Sequence, residues 1–170
     1  YEKYLLSRKK LLSNYVDYIK MSIDFLYMNK RVPGKKFLVF VSSGNMGKFL
    51  QIKLQSIYPD LIVGRYIRKY KDPKHVLLDS DIIVSTLQSC GTAVTVPNLS
   101  GVFLSVAIDS ESSNKQAFGR IRELADSDKH VFGYAVCNDI RSHRSYHSSK
   151  KEYLTSRVNQ IQEIQTRIYV

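Results

Sequence analysis

The sequence predicts an α/β fold in which a mostly parallel sheet is flanked by helices, with further helices at both ends. Two observations predict it. Short apolar runs, bounded by turn residues, are too brief for helices. They alternate with segments whose apolar residues recur at steps of three and four. Strands alternating with helices imply βαβ units and a parallel sheet. At 170 residues the chain is long enough to bury a core as one domain without disulfides or metal.

Residues 1–30 read as helix, because Leu12, Tyr15, Val16, Ile19, Ile23, Leu26 and Tyr27 fall on one face. Pro33 and Gly34 in KRVPGKK break it, which separates leading helices over 1–34 from a sheet-bearing body over 35–170. KFLVFVSS (36–43) is an apolar run between turns, the pattern of a buried parallel strand. GNMGKFLQIKLQSIYP (44–59) has helical spacing at Met46, Phe49, Leu50, Leu54 and Ile57, and stops at Pro59. DLIVGRYI reads as strand, DPKHVLLDS as a short helix or turn, and DIIVST (81–86) as strand. LSGVFLSVAI (99–108) is a further strand, NKQAFGRIRELAD (114–126) a helix, and KHVFGYAVCN (129–138) the last strand. From about Tyr146 an amphipathic helix is expected, with Leu154, Val158, Ile161, Ile164 and Ile168 on its apolar side.

The formal net charge of +11 favours a polyanionic partner, nucleic acid before membrane surface, through steering and counterion release. Two cysteines, Cys90 and Cys137, do not make a disulfide framework, and no CxxC or Cys/His cluster points to zinc. No metal site is therefore expected in this chain, and an intracellular home is: the cytoplasm or nucleus of a host, or a bacterial cytoplasm. No apolar run reaches the roughly 20 residues that a membrane span needs. His75, His130, His143 and His147 lie in polar stretches without a nucleophile partner and are read as surface residues. A chain that starts at Tyr1 is expected to be a piece of a longer protein.

In open parallel sheets the chemistry sits at the carboxyl ends of the strands. Three expected strand ends carry polar loops: SSGNMGK, STLQSCGTAVTVPN and DSESSNKQAFGR. Ser42 and Ser43 precede a helix, so their hydroxyls either cap it or join its free amides in holding a phosphate, with Gly44 and Gly47 permitting close approach. GNMGK is not the phosphate loop GxxxxGK[ST], because the spacing is short and Phe49 follows Lys48. The second loop is long and rich in hydroxyls, and Thr86, Thr92 and Thr95 either shape its turns or bond phosphate and sugar oxygens. In the third, Gln116, Arg120 and Arg122 offer planar donors suited to phosphate oxygens, and Gly119 clears space beside them. An arginine that stabilises a phosphoryl group held by another surface is an arginine finger.

Together the three loops resemble the C-terminal, RecA-like lobe of a superfamily 2 helicase. KFLVFVSS resembles motif IV, DIIVSTLQSCGTAVTVPNLSGVFLSV resembles motif V, and QAFGRIREL resembles motif VI, commonly QxxGRxxR. Order and spacing match over roughly 36–124. The flavour is closest to phage branch-migration helicases, which resemble the RecG group, and to herpesvirus origin-binding helicases. The resemblance implies that Ser42, Ser43, Lys48, Thr86 and Thr92 contact the nucleic-acid backbone. It implies that Thr95, Gln116 and Gly119 border the nucleotide and that Arg120 and Arg122 face its phosphates. Two positions depart from the pattern: Ala93 stands where motif V usually has Gly, and Glu123 where motif VI usually has its second Arg.

No GxxxxGK[ST] and no Asp-Glu box occur in the 170 residues. In this family both belong to the first lobe, which binds ATP and Mg2+. The resemblance therefore implies one half of an ATP-dependent motor acting on DNA, or alternatively RNA. Its partner is the N-terminal RecA-like lobe of the same protein, and alone it should lack ATPase activity. The alternative is a non-catalytic, basic nucleic-acid-binding module on a Rossmann-like scaffold. A Rossmann enzyme with its own small substrate is disfavoured, since no GxGxxG follows the first strand.

Overall fold

The computed structural model describes residues 2–90, 94–108, 110–120 and 130–166. In chain order its elements are α1 (Glu2–Leu6), α2 (Lys9–Leu26), β1 (Lys36–Val41), α3 (Gly44–Ile57), β2 (Val63–Tyr66), α4 (Val76–Asp79) and β3 (Ile82–Thr86). They continue with α5 (Leu87–Cys90), β4 (Leu99–Leu104), α6 (Glu111–Phe118), β5 (Val131–Tyr134) and α7 (Arg141–Thr155). The five strands form one sheet in the order β2-β3-β1-β4-β5, and every neighbouring pair is parallel. The expected α/β fold is thus present.

The strands read as continuous apolar runs because both faces of the sheet are covered. On one face, Phe37, Val39, Val41, Ile82 and Val84 pack against Tyr15, Ile19 and Ile23 of α2 and Met46, Leu50 and Leu54 of α3. The leading helices therefore share a core with the sheet. On the other face, Leu38, Phe40, Ile83, Val102 and Leu104 meet Leu77 of α4, Cys90 of α5, Val94, Val96 and Ala117 of α6.

The helix expected over 1–30 is interrupted at Ser7–Arg8. The Ser7 hydroxyl donates to the Tyr4 carbonyl at 2.7 Å, Arg8 is extended, and the kink lets Leu5 enter the core. After α2 a single 3-10 turn (Met28–Lys30) leads to Gly34, whose φ of +80° suits only glycine without strain. α3 runs close to its expected length, stopping just before Tyr58 and Pro59.

Two helices end differently from the sequence expectation. The helix expected over 114–126 is α6, which begins at Glu111 and stops at Phe118, with Gly119 as its cap; residues 121–129 lie outside those described. The expected tail helix starts earlier, at Arg141, and ends at Thr155. Leu154 is buried, but Ile161 and Ile164 are exposed and non-helical, while Ile168 lies outside the described residues. α7 turns inward a set of polar side chains instead. The hydroxyl of Tyr134 is hydrogen-bonded to Nδ1 of His147 at 2.9 Å, and Nδ1 of His143 accepts from the Cys137 amide at 3.2 Å. These two histidines are part of the packing, which corrects their reading as surface residues; His75 is exposed as expected. Both cysteines are free thiols.

Lys150 is the costly member of that inward face. Its Nζ sits 4.6 Å from the centre of the Tyr134 ring, and burial pulls its pKa from 10.5 down to about 8. The unfolded chain binds this proton more tightly than the folded one, so burial of Lys150 costs stability below pH 8, and the cost fades as pH rises towards 10.5. Lys150→Met should stabilise the chain at neutral pH by roughly 2–3 kcal/mol. The gap to the native chain should close as urea melts are repeated from pH 8 to pH 10, the native chain catching up. A gap that stays constant with pH would mean that the amine is not the source.

Candidate nucleic-acid and nucleotide interface

A parallel sheet brings every strand's carboxyl end to one edge. There Val41 of β1 stands level with Thr86 of β3, and Phe40 is level with Leu104 of β4. Ser42 follows, exposed at the rim. Ser43 is the N-cap of α3, its Oγ accepting from the Met46 amide at 3.2 Å, and Lys48 is exposed in the second turn of that helix. Thr86 is buried, and its hydroxyl donates to Ser89 Oγ at 2.8 Å. It supports the loop from beneath while Ser42 and Lys48 face solvent.

The space at Gly44 and Gly47 is taken up by the chain itself. A Cβ at Gly44 would lie 2.6 Å from the Tyr70 ring, and one at Gly47 3.3 Å from Cδ1 of Ile67. These glycines admit neighbouring side chains, not a ligand. The reason is the loop after β2, which folds over the start of α3.

α6 carries the third set of residues away from the edge. Its first turn is capped by Ser110, whose Oγ accepts from the Ser113 amide at 3.2 Å. Eight helical residues then lead about 12 Å down the second face of the sheet. Gln116 is exposed on this helix and Ala117 is buried beneath it. Gly119 closes the helix in right-handed conformation, and a Cβ there would press to 3.0 Å on the Lys115 carbonyl. Its missing side chain relieves its own helix end. Half-buried Arg120 donates from Nη1 to the carbonyl of Val94, the neighbour of exposed Thr95. Burial pushes the nearby Cys90 thiol up to about 11, and the Arg120 charge pulls against that rise.

The predicted residues therefore separate into two groups. Ser42, Ser43 and Lys48 lie at the carboxyl edge with Thr86 under them; Thr95, Gln116, Gly119 and Arg120 gather along one flank. Thr92 and Arg122 lie outside the described residues. One cluster was missed by the sequence reading. Arg68, Lys69, Tyr70 and Lys71 are all exposed where the chain leaves β2. The Arg68 amide donates to Ser89 Oγ at 3.0 Å and the Tyr70 hydroxyl to Asn45 Oδ1 at 2.8 Å, so this loop ties the β1 and β3 loops together. An aromatic residue inside a basic run was the available signal.

No protein-family model matches the sequence, and no curated protein matches it. Solved structures do share its fold. The C-terminal domain of the DEAD-box protein Dbp5 superposes with a TM-score of 0.64 at 14% identity, covering 85% of this chain and 80% of that one. Mycobacterium smegmatis helicase Lhr, bound to ssDNA and AMP-PNP, gives 0.58 at 15% identity over 82% of this chain and 19% of its own. The Pyrococcus furiosus Hef helicase domain gives 0.54 at 19% identity over 79% of this chain and 28% of its own. The chain thus spans less than a third of the length of the Lhr and Hef chains. Its fold is that of a RecA-like lobe.

The cap at Ser43 is testable separately from any ligand. Ser43→Ala should lower unfolding stability by about 1 kcal/mol, because the Met46 amide loses its acceptor, whereas Ser43→Asp should retain most of it. Chemical denaturation of the three chains measures this.

Proposed function

We propose that this chain is the second motor lobe of an ATP-dependent helicase or translocase whose track is DNA, with RNA as the alternative, in an intracellular setting. The observation that carries the reading is the bond from Arg120 to the Val94 carbonyl. Motif V assigns Thr95 to the nucleotide and motif VI assigns Arg120 to it, and these two assignments were made from stretches of sequence far apart. The bond brings the two stretches to one spot on the flank. The shared fold with Dbp5, Lhr and Hef supports the same reading, as does the formal net charge of +11.

In this reading ATP is the substrate, held mainly by a first lobe with its own phosphate loop. The accompanying Mg2+ is held mainly by that other lobe. This chain supplies a guanidinium: charge that spreads over the γ-phosphoryl oxygens during transfer is stabilised by Arg120, with Arg122 as the second arginine of the same motif. Thr95 and Gln116 border the nucleotide. At the edge, Ser42, Ser43 and Lys48 hold backbone phosphates, while Thr86 and Thr92 shape that loop or join them. Opening and closing of the two lobes moves this grip along the strand. Phosphate contacts carry no base information, so binding is insensitive to sequence and sensitive to salt.

The decisive experiment uses the longer protein that contains the first lobe. Arg120→Ala should reduce ATP turnover by about 10³-fold or more while nucleic-acid affinity stays within a few-fold. Arg120→Lys, which keeps the charge but not the planar fork, should recover little. Loss of affinity with turnover intact would instead identify a non-catalytic binding module. A second measurement is the salt slope of binding: Lys48→Gln should lower log affinity at every salt concentration and flatten its salt dependence by about one phosphate contact.

A further inference from the structure

The loop after β2 offers a surface that none of the three motif-like stretches includes. Arg68, Lys69, Tyr70 and Lys71 are exposed at the carboxyl edge, against Gly44 and Asn45 at the start of α3 and Ser89 in the β3 loop. The loop is rigidly built. Asp72 takes two bonds from Arg65, at 2.8 and 2.7 Å, and one from the Ile67 amide at 2.9 Å. Lys71 turns the chain in left-handed conformation.

Tyr70 is held from several directions. Its hydroxyl is bonded to Asn45, its edge rests on Gly44, and the Arg65 guanidinium lies 5.1 Å from the ring centre. The residue nevertheless keeps 40% of its surface in water. A large aromatic left exposed, yet fixed in place, has already lost the freedom that binding would otherwise cost it. The carboxylate in this loop, Asp72, is neutralised by Arg65, so the outward charge of the loop is that of its cations.

We propose that Tyr70 is a stacking platform for a base of a single-stranded nucleic acid, flanked by Arg68, Lys69 and Lys71 as contacts to the adjoining phosphates. The proposal rests on the reading of this edge as a nucleic-acid grip and adds what that reading lacks, a contact to a base. Stacking accepts any base, since each has a π-face, and it requires that the base be unpaired. A lobe with this feature prefers a single strand to a duplex without preferring a sequence.

The test compares two labelled probes on the full 170-residue chain: an oligothymidine strand and the same strand carrying abasic sites. The native chain should bind the intact strand roughly 5- to 100-fold more tightly, the range expected for one stacked base. Tyr70→Phe should keep that ratio, and Tyr70→Leu, which still packs on Gly44, should reduce it to near one. Replacing Arg68, Lys69 and Lys71 together with Gln should weaken both probes alike and leave the ratio unchanged. Equal binding of both strands by the native chain, which needs no variant, would overturn the platform, as would an undiminished ratio in Tyr70→Leu. Failure of the native chain to bind either probe would overturn the gripping edge itself, and the platform with it.

Discussion

β1 lies in the middle of the sheet, bonded to β3 on one side and β4 on the other. All six of its residues are buried, and a backbone without water must find its partners in neighbouring strands. Its side chains divide with the period of two: Phe37, Val39 and Val41 face α2 and α3, while Leu38 and Phe40 face the second cluster. A slip of one residue would exchange the two sets, so the register is firmly specified. Lys36 marks the amino end, donating to the carbonyls of Leu78 and Ser80 at 2.6 and 2.9 Å. Because both pairings are parallel, the chain must recross a face after each strand, and each carboxyl end opens into a loop on one edge.

That edge uses many of its hydroxyls internally. Ser85 donates to the Tyr66 carbonyl at 2.6 Å, Ser105 to the Phe40 carbonyl at 2.6 Å, and Tyr15 to Ser105 at 2.8 Å. Each of these groups is buried, where an unmet hydroxyl would cost a few kcal/mol. A polar, hydroxyl-rich loop is thus partly a ligand surface and partly the cross-bracing that holds that surface. Thr86 is a brace, Ser43 caps α3 at the rim, and Ser42 and Lys48 are at the surface. Composition alone cannot separate the two kinds, because both occur at the same spacing after a strand.

The sheet itself was legible, since apolar runs too short for helices leave few alternatives and the strand ends differ from expectation by only a few residues. Helix ends were less so. Gly119 sits where three-residue spacing would continue a helix, and what stops α6 there is the turn that carries Arg120 to Val94. The tail shows the opposite failure. Ile161 and Ile164 have helical spacing but stay exposed, whereas His147 and Lys150, polar by composition, turn inward where the Tyr134 ring receives them. Periodicity reports which residues share a face, and only a neighbouring element decides whether that face is used. Tyr70 escaped notice for a similar reason: its fixed position depends on Gly44 and Asn45, distant in sequence.

The separation of edge and flank raises the matter of how the two are joined. The connection from β3 to β4 is common to both. At its start, Ser89 receives bonds from Thr86 and from the Arg68 amide, which leads to Tyr70. Towards its end, Val94 receives Arg120, with Thr95 next to it. Any displacement of the guanidinium must either break its bond to Val94 or move the connection, and movement at Ser89 must disturb the loop after β2. The connection is thus bonded to the flank at Val94 and to the rim at Ser89.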